Sequence, residues 1–235
     1  MLGLKTSLIG KKVVYFQEIS STNDVAKSEK FEEGTVIVAD VQISGHGRLN
    51  RKWESPRGGL WLSVILQPNV SMEDLPKITF LGAVAVVRTL EEFSVPARIK
   101  WPNDVLVDFK KIAGILVEKK GKRVILGIGL NVNNDAPENG TSMKLYLGSE
   151  LALTNVFKSL IENLDELYKV FMESPRTILE LARELMILGV PVKVVGDGEV
   201  VGVAEDVDDY GRLIVRLEDG SKKAVIYGDV SLRFL

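Results

Sequence analysis

From residue 97 to residue 133 four apolar runs follow one another, at 97–101, 105–107, 111–118 and 124–133, with spacers too short to hold a helix. Parallel strands need a crossover of about a dozen residues or more, whereas a spacer of a few residues closes an antiparallel hairpin. This block therefore predicts an antiparallel sheet around which the rest of the chain must pack. Upstream, runs at 13–16, 35–43 and 60–66 predict further strands, the last stopped by Pro68. Ser21-x-x-Asp24 is a helix-capping pattern and predicts a short helix through Val25, Ala26 and Lys27. Helical apolar spacing predicts longer helices over 74–93 and 155–173, and Pro175 opens another that ends near Leu188.

After Gly189 the texture changes. Four short strands are expected at 192–195, 200–203, 213–216 and 224–227, separated by the turn clusters Gly196-Asp197-Gly198, 208–211 and 218–220. Their even spacing suggests a compact β-barrel of about 45 residues that leans on the larger unit for stability. The expected fold is α+β: a mixed, mainly antiparallel sheet packed with helices over 1–188, and a small β domain over 189–235.

Composition narrows the chemistry by exclusion. The net charge is −2, so an anion site has to be local. No apolar run approaches the roughly 20 residues of a membrane span, and the start lacks the layout of a secretory signal. The chain has no cysteine, which excludes disulfides and thiolate metal sites and leads us to expect a cytoplasmic protein. Its one histidine, His46, argues against a histidine-rich metal site or a Ser-His-Asp triad. Catalysis must rest on Lys, Arg, carboxylates, amides or a bound metal.

Five segments have the residue types for such chemistry. Gly45-His46-Gly47-Arg48-Leu49-Asn50-Arg51-Lys52-Trp53 sets arginines among glycines, which suits a phosphate or carboxylate grip as well as a solvated charged loop. It is neither a dinucleotide fingerprint, since Asn50 stands where the third glycine belongs, nor a Walker A loop. Trp53 suits base stacking or plain packing. Ser21-Thr22-Asn23 offers two hydroxyls and an amide at a helix start, for a ligand or simply as a cap. In Lys100-Trp101-Pro102-Asn103-Asp104, a strong turn sequence, Asp104 is placed to serve a magnesium ion or an arginine of the basic loop. The 111–118 strand carries Lys111 and an interior Gly114, and simple alternation puts Ala113, Ile115 and Val117 on the face of Lys111. Gly127-Ile128-Gly129-Leu130-Asn131-Val132-Asn133 reads equally as a glycine-weakened strand or as a surface a ligand approaches closely.

In this order the five segments resemble the biotin protein ligase family. Its signature is a Ser-Thr-Asn segment, a Gly-Arg-Gly-Arg-x-Gly-Arg-x-Trp loop, a Lys-Trp-Pro-Asn-Asp strand end, a Lys-x-x-Gly-x-Leu-x-Glu strand and a Gly-x-Gly-x-Asn-x-Asn strand. Two positions depart from it: His46 stands at the first arginine and Asn50 at the following glycine. The resemblance implies a class II synthetase-like catalytic domain followed by an SH3-like barrel. It also implies activation of biotin by ATP to biotinyl-5′-AMP, then transfer to a lysine of a biotin carboxyl carrier domain. By the same resemblance Lys111, Arg48 and Arg51 are catalytic. Biotin would contact Ser21, Thr22, Asn23, Gln42, Gly45, His46, Gly47, Lys111 and Gly114. ATP and the adenylate would contact Arg48, Arg51, Trp53, Asn103, Asp104, Lys111 and Asn131, with Mg2+ held mainly by the ATP phosphates. A homodimer is a further implication. The alternatives are a lipoate-type ligase, or a biotin-responsive nucleic-acid-binding regulator. A strand beginning by Val13 leaves no room ahead of it for a helix-turn-helix, so no sequence-specific DNA binding is expected.

Overall fold

The computed structural model describes residues 3–28, 30–196, 198–226 and 228–232. Seven strands form the larger sheet: β1 (Val13–Ile19), β2 (Val36–Gln42), β3 (Leu60–Leu66), β4 (Arg98–Lys100), β5 (Asp104–Val107), β6 (Lys110–Lys120) and β7 (Arg123–Leu130). Their order across the sheet is β1-β2-β3-β7-β6-β5-β4, and β1 with β2 is the one parallel pair among the described residues. That exception follows from chain length, because the short helix α1 (Thr22–Ser28) fills the crossover between them. The expected mixed, mainly antiparallel α+β architecture is what the molecule adopts.

Helices α2 (Lys77–Glu92), α4 (Leu153–Glu173) and α5 (Pro175–Leu185) pack with one face of the sheet in a single large core. On the opposite side Ala26 of α1 joins Ile37, Ile65 and Ile125 in a separate small cluster. β3 is buried at every residue, which matches an apolar run interrupted only by Ser63. One short helix was not expected, α3 (Met143–Leu147). Its Ser142 cap accepts from Leu145 N, and Gly148 ends it in the left-handed region at φ 75°. Within five residues it shows too little periodicity to be read from sequence.

The C-terminal sheet has five strands rather than four: β8 (Val190–Gly196), β9 (Gly198–Val207), β10 (Leu213–Arg216), β11 (Lys222–Val225) and β12 (Asp229–Leu232), ordered β11-β10-β9-β8-β12. β11 begins two residues before the expected 224, because Asp219 bonds the Ser221 N–H and hydroxyl and makes a tight turn. Of the expected elements, Asp197 in a turn and Tyr227 at a strand end lie outside the described residues. Hydrogen bonds tie the C-terminal sheet to the larger unit, among them those from Trp101 Nε1 to the Gly211 carbonyl at 2.9 Å and from Arg183 Nε of α5 to that of Val207 at 2.6 Å.

Candidate active site

β6 departs from simple alternation next to its first lysine. Opposite β5, Asp104 pairs with Gly114 and Val105 with Ala113, but Leu106 pairs with Lys111, so Ile112 is an extra residue. The bulge turns the strand over at that point. Ala113 and Ile115 enter the core with Val117 packed against it, while Lys111 emerges on the opposite face beside Gly114. The expected face for Lys111 was therefore wrong, and the cause is a register shift that only the pairing with β5 creates.

On that other face lies a cleft of about 440 Å³, lined by residues from β6, β7, the start of α1, the basic loop and β12. Lys111 Nζ sits 2.6 Å from Asp104 Oδ1, and Lys100 Nζ is 3.5 Å from Asp104 Oδ2. Asp104 is thus the counter-ion of two lysines rather than of an arginine. Asn103 takes the arginine: its Oδ1 accepts from Arg48 Nη1 at 3.2 Å while its amide donates to the Ile115 carbonyl at 3.0 Å. Arg51 pairs with Asp229, at the start of β12.

The polar end of the cleft is one connected network. Thr22 donates through its N–H and hydroxyl to Gln42 Oε1 at 2.8 and 3.0 Å, and Gln42 Nε2 donates to Ser55 Oγ at 2.8 Å. Ser63 Oγ lies 2.7 Å from Thr22 Oγ1 and donates to Asn23 Oδ1 at 2.5 Å. Asn23 Nδ2 in turn donates to Glu118 Oε2 at 2.8 Å. Such a network fixes hydroxyls and amides in defined orientations, ready for a ligand of matching polarity.

Strand glycines open space for side chains of the protein itself. A Cβ at Gly127 would collide with the Asn23 amide, and one at Gly129 with the Trp53 indole; at Gly114 it would be 3.0 Å from Trp53 Cζ3. Trp53 therefore lies flat over the sheet, edge-on to Trp61 at 6.4 Å, with Lys111 Nζ 5.0 Å from its ring centroid. Its indole N–H is buried without a hydrogen-bond acceptor among the described residues.

The basic loop folds back on itself, Gly47 N to Arg51 O at 2.7 Å and Trp53 N to Gly45 O at 2.9 Å, around a turn of 3-10 helix at Arg48–Asn50. Leu49 and Asn50 have φ of 56° and 55°. Asparagine tolerates this left-handed region better than other side chains, which accounts for its presence where the resemblance expects glycine.

Of the residues expected at a site, Ser21, Thr22, Asn23, Gln42, His46, Gly47, Arg48, Arg51, Trp53, Asn103, Asp104, Lys111, Gly114 and Asn131 line this cleft, whereas Gly45 does not. Gly45 faces Trp53 O and Ser55 Oγ, where a Cβ would come within 2.6 and 2.7 Å. Asn131 lines the cleft, but its amide is bound to Thr141 O and Asn134 Nδ2. Sequence reasoning missed Ser63, Pro137 and Asp229. Ser63 could have been found as a hydroxyl inside an otherwise apolar strand; nothing local marks the other two. Among the described residues no three carboxylate or imidazole side chains converge as a metal cage. With Asp104 already paired to two lysines, the chain's own donors do not fit a protein-built cation site.

The model of the biotin/lipoate A/B protein ligase family matches residues 14–135, and that of the biotin protein ligase C-terminal domain matches residues 187–233. Over 98% of its length the chain is 35% identical to the bifunctional ligase/repressor BirA of Bacillus subtilis (strain 168), covering 77% of that protein. The chain belongs to the biotin protein ligase family. Another relative is the biotin--[acetyl-CoA-carboxylase] ligase of Mycobacterium tuberculosis, 33% identical over 84% of this ligase and 79% of that one. The structure of a biotin protein ligase from Aquifex aeolicus in complex with biotin and ATP matches with a TM-score of 0.87 and 32% identity, over 95% of this ligase and 99% of that chain.

Proposed function

We propose that this ligase joins biotin to a protein lysine in two steps. First, a biotin carboxylate oxygen attacks the α-phosphorus of ATP, the bond to pyrophosphate breaks, and biotinyl-5′-AMP forms. Then the amine of a lysine on a biotin carboxyl carrier domain attacks the acyl carbon, the bond to the AMP oxygen breaks, the amine loses its proton, and AMP leaves. The observation that carries this reading is the convergence of Ser21, the Thr22-Asn23-Gln42 network, Lys111 and two arginines on one cleft. Two anions must meet in the first step, and fixed cations offset their repulsion and the charge that develops at phosphorus.

On this reading Lys111 bridges the biotin carboxylate and the α-phosphate, and Arg48 and Arg51 hold the phosphates. Ser21, Thr22, Asn23 and Gln42 take the ureido end of biotin, whose ring and chain lie against the loop and strand glycines. Trp53, Asn103 and Asn131 serve the adenosine side, the Trp53 N–H offering a free buried donor. Magnesium would arrive with the ATP phosphates, since it keeps several waters and needs few protein ligands. The 45–53 loop covers the adenylate and keeps water from the anhydride.

The wider setting is part of the proposal. We place the division between units at 188/189 and read the protein as cytoplasmic from its lack of cysteine. The outer strands β1 and β4 offer edges for a homodimer. Sequence-specific DNA binding is not proposed, because a net charge of −2 supplies no general attraction to a polyanion.

Mass spectrometry of an apo carrier domain incubated with the ligase, ATP and either biotin or lipoate tests the reading. A biotinyl mass increment is expected with biotin alone. Lipoyl transfer without biotinyl transfer would overturn it.

A further inference from the structure

His46, the single histidine of the chain, occupies the position where the family signature has arginine. Its imidazole stands in the cleft wall, one fifth exposed at 20%, with Nε2 3.7 Å from Glu118 Oε2 on β6 and 4.0 Å from Asp24 Oδ1 on α1. Nδ1 is 3.4 Å from the Ser44 carbonyl. Lys27 of α1 already bridges the same two carboxylates, at 2.8 and 3.0 Å. The loop's own cations point elsewhere: Lys52, bridged to His46 through the backbone, reaches Glu54, and Arg48 reaches Asn103. The imidazole therefore faces two carboxylates and one ammonium, a local charge of −1 that its protonation cancels.

Burial pushes the Glu118 carboxyl up, but hydrogen bonds from Asn23 and Lys27 and the charges of Lys27 and His46 outweigh it and hold the group below the usual carboxylate range. Glu118 consequently stays ionised throughout the range in which a histidine titrates. Because Asn23 donates to the same Oε2 that faces His46, the contact joins the loop to the polar network.

We propose that His46 is a positioning residue whose protonated imidazole pins the 45–53 loop to β6 and α1 through Glu118 and Asp24, and whose neutral form loosens it. The inference rests on the reading of that loop as the cover of biotinyl-5′-AMP. An arginine there would be charged at every working pH; histidine makes retention of the adenylate pH-dependent. Protonated, it faces two carboxylates at ion-pair distance, 3.7 and 4.0 Å; neutral, it loses that attraction and keeps at most the contact of Nδ1 with the Ser44 carbonyl.

The test follows release of biotinyl-5′-AMP from the loaded full-length enzyme between about pH 5.5 and 8.5, the span of histidine titration. The wild type is compared with His46→Arg, His46→Gln and Arg48→Ala. Wild-type release is expected to rise roughly three- to tenfold across this span, the scale of a partly exposed ion pair. His46→Arg is expected to be slow and flat, and His46→Gln fast and flat. A flat wild-type profile, or a slope in His46→Arg equal to that of the wild type, overturns the role of His46. The loop reading then survives if Arg48→Ala speeds release at every pH. Release unchanged in all three variants overturns both.

Discussion

On the proposed reading Lys111 meets a carboxylate and a phosphate, and Asp104 fixes the position of its ammonium from 2.6 Å away. The same carboxylate holds Lys100, so removing Lys111 leaves Asp104 still paired and the fold undisturbed. Lys111→Ala is expected to lower the single-turnover rate of adenylate formation by about a hundredfold or more, the scale of losing one electrostatic stabiliser of a transition state. Biotin affinity, measured by calorimetry, should change far less, because the proposed reading gives the ureido end to Thr22, Asn23 and Gln42. Equal loss of rate and affinity would count against a phosphate-bridging role. Lys111 was legible in the sequence as a residue but not as a direction: alternation sent it toward Ala113 and Ile115, and the bulge at Ile112 reversed it.

At the scale of elements, periodicity worked where a segment is long enough to show it. The strands of the large sheet and the long helices lie close to where their apolar spacing put them, whereas α3 and β12 are too short to carry a pattern. The glycines of β7 fit a weakened strand and a surface open to a ligand equally well in sequence, and what lies against those of β6 and β7 is Trp53 and Asn23. Helix α4 is likewise tied to the N-terminal segment by something its periodicity does not reveal. Asp165, 3% exposed, accepts the N–H groups of Ser7, Leu8 and Ile9 at 2.8 Å each and pairs with Lys169 at 2.9 Å. Burial raises its carboxyl, but the bonds from Lys169 and the three backbone N–H groups win and hold it at about 2, below its ordinary 3.8. A lowered folded-state value means stability that is present above about pH 4 and is lost as pH falls toward 2. Asp165→Asn is therefore expected to cost about 2 kcal/mol at neutral pH. Denaturant titrations should show the gap from wild type closing near pH 2; a gap of the same size at both pH values would refute the assignment.

For the molecule as a whole, the basic loop lies where the two sheets meet. Arg51 is paired with Asp229 of β12, and Arg48 Nη1 lies 3.5 Å from the Gly228 carbonyl just before it. If Arg51 holds phosphate as proposed, an aspartate on it competes with the incoming group. Asp229→Ala is thus expected to lower KM for ATP by at most about fivefold, since an exposed pair is worth roughly 1 kcal/mol or less. KM for biotin should stay constant in the same steady-state assay; a rise in KM for ATP would instead assign Asp229 to the binding of ATP. By itself the sequence determined the longer elements, the mainly antiparallel sheet and most residues that line the cleft, because apolar period, turn chemistry and motif spacing act over short stretches of chain. Only the tertiary structure decided the face on which Lys111 emerges, the covering of the strand glycines by Trp53 and Asn23, and the partnership of Arg51 with Asp229. Each of these depends on a register or a contact between segments far apart in the chain, and no local spacing encodes it.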